Sequence, residues 1–150
     1  MKLENELENK KNSAMIIGEK GKSVVDTYAL KGAIKSLIVN YGVTDFYSDD
    51  ESELALETAK ILRRHKKKNP QIMHHLVLSP WRERPKGKYA ADSVLILKEW
   101  VSRVPNVLAV HQYMTEQCSY AISNVRTEDS VYYYAEIYAK VMNLKIFNIF

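Results

Sequence analysis

Carboxylates gather at two points along this 150-residue chain: Asp49, Asp50, Glu51 and Glu53 in one run, Glu128 and Asp129 in another. Oxygen donors at that density could hold a divalent cation. They would also oppose a phosphate, by on the order of 1–3 kcal/mol for a carboxylate within about 5 Å at a partly exposed site. Acids at the start of a helix are stabilised by the positive end of its dipole. That placement accounts for both runs without a metal, so no metal is expected. Basic and aromatic side chains lie elsewhere: Lys20 and Lys22, then Trp81, Arg82, Arg84 and Tyr89 in an irregular stretch, then Arg126. The arginines could meet phosphate or carboxylate, and the aromatics could stack on a base or anchor a partner. The same aromatics could equally seal the core from a surface loop.

Other reactive types are poorly placed for chemistry. His111 and Cys118 lie seven residues apart on an expected helix, about 10 Å, too far for a nucleophile and its base. Cys118 at a helix–strand junction reads as a small buried hydrophobe. His74 and His75 are adjacent in an expected strand, so they point to opposite faces and cannot share a metal. The basic run from Arg63 to Lys68 invites a nucleic-acid reading. Cations also complement the negative end of a helix, and that explanation is preferred. Tyr132, Tyr133 and Tyr134 cannot all face a core from one helix, because consecutive residues lie about 100° apart. At least one is expected to be exposed and to anchor a partner or a second copy.

The elements that must position these residues follow from patterning. Short apolar runs at Ala14–Gly18, Val43–Tyr47 and Ile72–Leu78 predict buried strands. Residues 24–40 carry apolar positions at helical spacing and close on Gly42 in a C-cap position. Asp49 or Asp50 is expected to cap the next helix, with Leu54, Leu56, Ala59, Ile61 and Leu62 on its apolar side. Residues 92–118 read as a short segment, a break at Pro105, and a helix over about Val107 to Gln117. The last block reads strand (Ser119–Val125), turn, helix to Asn143, strand (Lys145–Ile149), a βαβ unit.

Such units usually place glycines in the turn after the strand, so that N–H groups can approach a phosphate at the helix N-terminus. Here the turn reads Thr127-Glu128-Asp129-Ser130-Val131, with two acids and no glycine. The expected architecture is α/β: a three-layer Rossmann-like sandwich with a mostly parallel sheet of about five strands. Residues 1–12 are expected as a polar arm and 13–150 as the domain.

Composition bounds the class. The chain is 46% hydrophobic with a net charge of +4, from 22 basic and 18 acidic residues. That is mildly basic, short of a nucleic-acid-binding balance. One cysteine excludes an internal disulfide and fits a reducing cytosol. The start Met1-Lys2-Leu3-Glu4-Asn5-Glu6 lacks the apolar stretch of a signal peptide, and no apolar run reaches about 18 residues. A cytoplasmic protein with no membrane segment is expected.

The order of elements resembles the bacterial SLOG superfamily, Rossmann-like proteins related to DNA-processing protein A and to the cytokinin-activating phosphoribohydrolases. The likeness is carried by Gly42-Val43-Thr44-Asp45-Phe46-Tyr47, Ala55-Leu56-Glu57-Thr58, Met114-Thr115-Glu116-Gln117 and Tyr138-Ala139-Lys140. It spans roughly residues 14–149 and points to the small SLOG proteins of Firmicutes. Those pieces are scaffold, not catalytic motif. The departures fall on the phosphate site that the resemblance implies. The family's Gly-His-Arg-like first turn is Gly18-Glu19-Lys20 here, and its Gly-Gly turn after the second strand is replaced by Ser48-Asp49-Asp50-Glu51-Ser52-Glu53. Its Arg-Asn-Arg helix opener matches Val110-His111-Gln112, and its last glycine pair matches Ser130-Val131.

Two functions are therefore expected in competition. The preferred one is a non-catalytic binding protein on a degenerate SLOG-like scaffold, without a cofactor, engaging a macromolecule or sequestering a ligand. Mobile-element inhibitors of bacterial immunity, anti-CRISPR proteins among them, include reshaped small domains of this kind, and the expectation extends there by analogy. On this reading Asp49, Asp50, Glu51, Glu53, Glu128, Asp129, Tyr132, Tyr133 and Tyr134 form the partner-facing set, and self-association is a further outcome. The alternative is a sensor or hydrolase of a nucleotide-derived ligand, using Lys20, Lys22, Trp81, Arg82, Arg84 and Arg126 in place of glycine-rich turns.

Overall fold

Ser13–Ile17 (β1) is buried along its whole length, as a strand must be when it has neighbours on both sides and helices on both faces. A computed structural model of the protein describes residues 10, 12–20, 25–80, 90–97, 106–126 and 128–150. Five further strands follow: Asp45–Ser48 (β2), Met73–Leu78 (β3), Ser93–Ile96 (β4), Tyr120–Ser123 (β5) and Lys145–Asn148 (β6). They form one sheet in the order β4-β3-β2-β1-β5-β6, and every pairing is parallel. Parallel neighbours need crossover helices. Those described are Thr27–Tyr41 (α1), Glu53–Lys68 (α2), Asn106–Gln117 (α3) and Val131–Val141 (α4).

Alternation along β1 divides the core. Ala14 and Ile16 pack with Leu30, Ile34 and Leu37 of α1 and Leu54, Ile61 and Leu62 of α2. Met15 and Ile17 face the other way, onto Val110 and Met114 of α3 and Ala135 and Ala139 of α4. The result is a Rossmann-like sandwich. The chain lays β1 to β4 outward in one direction, then returns to place β5 on the other side of β1. That reversal opens a crevice between β1 and β5 at the carboxyl ends of the strands.

Helix ends follow local chemistry. Asp26 caps α1 through Ala29 N, 2.9 Å away, and Gly42 ends it at φ +69°, a conformation that suits a residue without a Cβ. The last turn of α2 carries His65, Lys66, Lys67 and Lys68, placing the basic run at the negative end of the helix. Two expectations are corrected. Ser52, not Asp49 or Asp50, caps α2, its Oγ accepting from Ala55 N at 3.0 Å, because Asp49 is turned into the interior. The sheet has six strands where about five were expected, the added one being β4, from the stretch read as an indefinite short segment. No helix among the described residues is long and apolar enough to cross a membrane.

The two adjacent histidines of β3 do face opposite ways. His74 is buried on the α2 side, its Nε2 2.7 Å from Ser48 Oγ. Burial foremost, with the charges of His75 and Arg63, pushes its pKa from 6.5 down to about 4. The unfolded chain therefore takes up this proton first as pH falls, and stability is lost across that window. The loss should reach roughly 3 kcal/mol, at about 1.36 kcal/mol per pKa unit. Urea unfolding of the wild type and His74→Gln at about pH 7 and about pH 4 checks this: wild type should weaken relative to the variant on acidification, and a difference independent of pH would refute it.

Candidate functional site

The crevice is walled by the turns that leave β1, β2 and β5. The first turn begins at Gly18, where there is no room for a side chain: a Cβ would stand 2.8 Å from Ser52 Cβ and 3.0 Å from Leu54 Cβ. Lys20 then pairs with Ser52 in an antiparallel bridge. The β1 turn thus lies flat on the N-terminus of α2. Between them, Glu19 N donates to Asn124 Oδ1 at 3.2 Å, just past β5. The Glu19 side chain reaches further, its Oε2 accepting from Ser130 Oγ at 2.7 Å. Ser130 in turn caps α4 by accepting from Tyr132 N at 3.2 Å. One carboxylate and two polar side chains stitch the seam between β1 and β5.

Behind this seam, Asp49, His111 and Tyr132 are all buried. Asp49 Oδ2 lies 3.7 Å from His111 Nε2, and the Tyr132 ring meets His111 edge-on with centroids 5.5 Å apart. Burial raises the Asp49 pKa, and the His111 charge opposes that rise. Tyr132 is also raised, by burial first and then by the charges of Asp49, Glu51 and Glu19. The Tyr132 phenol therefore stays protonated beside this acidic group.

The N-termini of α1, α2 and α4 are each capped by a side chain of the chain itself, Asp26, Ser52 and Ser130. An anion would need such backbone donors left open. Among the described residues no three His, Cys, Asp or Glu side chains are grouped to hold a metal ion.

The expected site residues fall into separate places. Lys20 and Arg126 are exposed at the crevice turns; Trp81, Arg82 and Arg84 lie outside the described residues. Glu128 and Asp129 are exposed, while Asp50, Glu51 and Glu53 are half-buried. Asp49 and Tyr132, read from the sequence as partner-facing, are instead buried at 5% and 4% exposure. Tyr133 is half-buried and Tyr134 is 62% exposed. Tyr134 belongs to a groove of ≈ 140 Å³ between α3 and α4, lined also by Leu108, His111, Gln112, Ala135 and Tyr138. His111 thus touches both the acidic cluster and the groove. Cys118 is fully buried and its thiol is pushed well up by that burial, which leaves it inert.

Glu19, Asn124 and Ser130 were not singled out from the sequence. Glu19 and Ser130 show only as departures from a glycine-rich pattern at Gly18-Glu19-Lys20 and Ser130-Val131, and nothing in the sequence marks Asn124.

Gly18→Ala should cost about 1–3 kcal/mol by overpacking, read from the urea midpoint at unchanged m-value. Wild-type stability in that variant would show that the turn does not lie tight on α2. No protein-family model matches this chain and no curated protein matches it significantly, so the site is defined by its own geometry.

Proposed function

We propose that this is a binding protein, non-catalytic at the carboxyl edge of its sheet, built on a SLOG-like scaffold whose phosphate crevice has been closed by its own side chains. The observation that carries the reading is the Glu19 carboxylate bonded to Ser130 at the head of α4, with the charges of Asp49 and Glu51 acting on Tyr132 in the first turn of that helix. A nucleotide phosphate would have to displace or neutralise those carboxylates. Acids that do reach solvent, Glu128 and Asp129 with half-buried Asp50 and Glu51, instead suit a macromolecule with a basic surface. Complementary charge speeds such an encounter and fixes its register. Tyr134, on the helix that Ser130 caps, adds a large exposed anchor with few rotors. A protein whose target is a nucleic-acid-binding groove, as in mobile-element inhibitors of bacterial immunity, fits this chemistry.

Calorimetric titration with ATP, AMP and cyclic nucleotides should give no heat and no thermal shift. A micromolar response that disappears in Arg126→Ala would overturn the proposal in favour of a nucleotide-ligand sensor. A partner captured from bacterial lysate should be lost when Asp50, Glu51, Glu128 and Asp129 are changed to lysine, with the variant still folded. Retention of that partner at raised salt by the lysine variant would exclude the acidic surface as the contact.

A further inference from the structure

His75 is held between two partners on neighbouring strands. Its Nε2 lies 2.7 Å from Asp45 Oδ1, and its Nδ1 lies 2.6 Å from Ser93 Oγ. Asp45 opens β2 and Ser93 opens β4, with His75 beside Ser93 in the register of β3 and β4. The three stand towards the amino ends of the strands, at the opposite edge of the sheet from the carboxylate crevice.

The proton pattern follows from the acceptors. Asp45 also accepts from Thr44 Oγ1 at 2.8 Å. Burial would raise its pKa, but the bonds from His75 and Thr44 outweigh burial and lower it. An ionised carboxylate only accepts hydrogen bonds, so the imidazole proton sits on Nε2 and Nδ1 is left to accept from the Ser93 hydroxyl. The Tyr47 ring packs against the imidazole, centroids 4.7 Å apart, and holds its plane. Asp92 N–H donates to His74 O on β3. Leu97 N–H donates to Leu78 O, and in the β3–β4 register the alternate residues Leu95 and Ser93 turn the same way. The N–H of Val94, next to Ser93 in the chain, therefore points away from β3 to the open side of β4. Ser93 is exposed, and the His75 and Asp45 side chains keep 17% and 30% exposure.

We propose that Ser93, His75 and Asp45 act as nucleophile, base and orienting acid in the hydrolysis of small carboxylic esters. Ser93 Oγ attacks the acyl carbon while His75 Nδ1 takes the hydroxyl proton. The carbonyl oxygen becomes an oxyanion, which a main-chain N–H at the open side of β4 can stabilise. As the intermediate collapses, the bond to the leaving alkoxide breaks and Nδ1 returns the proton to it. A water then attacks the acyl-Ser93 ester, gives its proton to Nδ1, and releases the acid as Ser93 is reprotonated. Asp45 is a positioning residue that fixes the tautomer. The site takes an unhindered ester from solvent, and it is independent of the binding role proposed for the opposite edge.

The test is acylation by p-nitrophenyl acetate, followed as nitrophenolate release, with the adduct located by peptide mass spectrometry. Folded wild type should acylate at Ser93 at least about 100-fold faster than the same chain in urea, the lower end of general-base assistance. Ser93→Ala should lose that adduct, and His75→Gln should fall to the unfolded rate. Asp45→Asn should slow acylation while the folded midpoint stays near that of Ser93→Ala. Acylation of folded wild type at the unfolded rate, or spread over lysines and tyrosines with none at Ser93, would overturn the proposal. So would a folded His75→Gln as fast as wild type. If His75→Gln does not fold, the comparison of folded with urea-unfolded wild type decides alone.

Discussion

The turn that leaves β1 governs how the two halves of this protein meet. β1 is the strand on which both halves of the sheet converge, with β2 on one side and β5 on the other. A chain emerging there must satisfy its backbone between the start of α2 and the end of β5. Gly18 allows the approach, because any Cβ would strike Ser52. Glu19 closes the other side, its N–H on Asn124 and its carboxylate on Ser130. Once those contacts are made, the caps of α2 and α4 and the floor of the crevice are fixed together.

This arrangement places the protein's own carboxylates at the heads of its helices. A Rossmann-like scaffold concentrates helix N-termini at the carboxyl edge of its sheet, a region favourable to negative charge. Here that preference is met by Asp26, Glu19 and the acids after β2. The cost appears in Asp49, whose burial disfavours its charge even with His111 close by. A carboxyl so placed has lost the water that would otherwise favour its charged form.

What could be read in the sequence was whatever is encoded locally. The apolar run of β1, the helical spacing of α1 and the glycine at its end all act over a few residues, and each formed where expected. The Tyr132–Tyr134 run also behaved as helical geometry requires, one ring in, one half-covered and one out. Ser52 displaced Asp49 as a cap because His111, from a distant helix, lies beside that aspartate. The fourth strand was obscured because Val94, Leu95 and Ile96 form an unbroken apolar run whose residues stay partly exposed at the sheet edge. Such a run has no alternation to read. The Glu19–Ser130 bond joins residues 111 apart, and the Asp45–His75 contact joins residues 30 apart. No spacing rule reaches across a sheet, so neither could be anticipated.

The place of β1 in the sheet also bears on how the chain reaches its fold. β1 precedes the other strands of the sheet in the chain, yet one of its two neighbours, β5, begins at Tyr120. Until that late segment emerges, one side of an entirely buried strand is an open edge, and Met15 and Ile17 lack the α4 half of their cover. Loop closure over such a separation slows the final docking step. Unpaired apolar edges are also where partly folded chains associate. The stitch at Glu19 thus closes late in synthesis, and until it forms the nascent protein is exposed to aggregation.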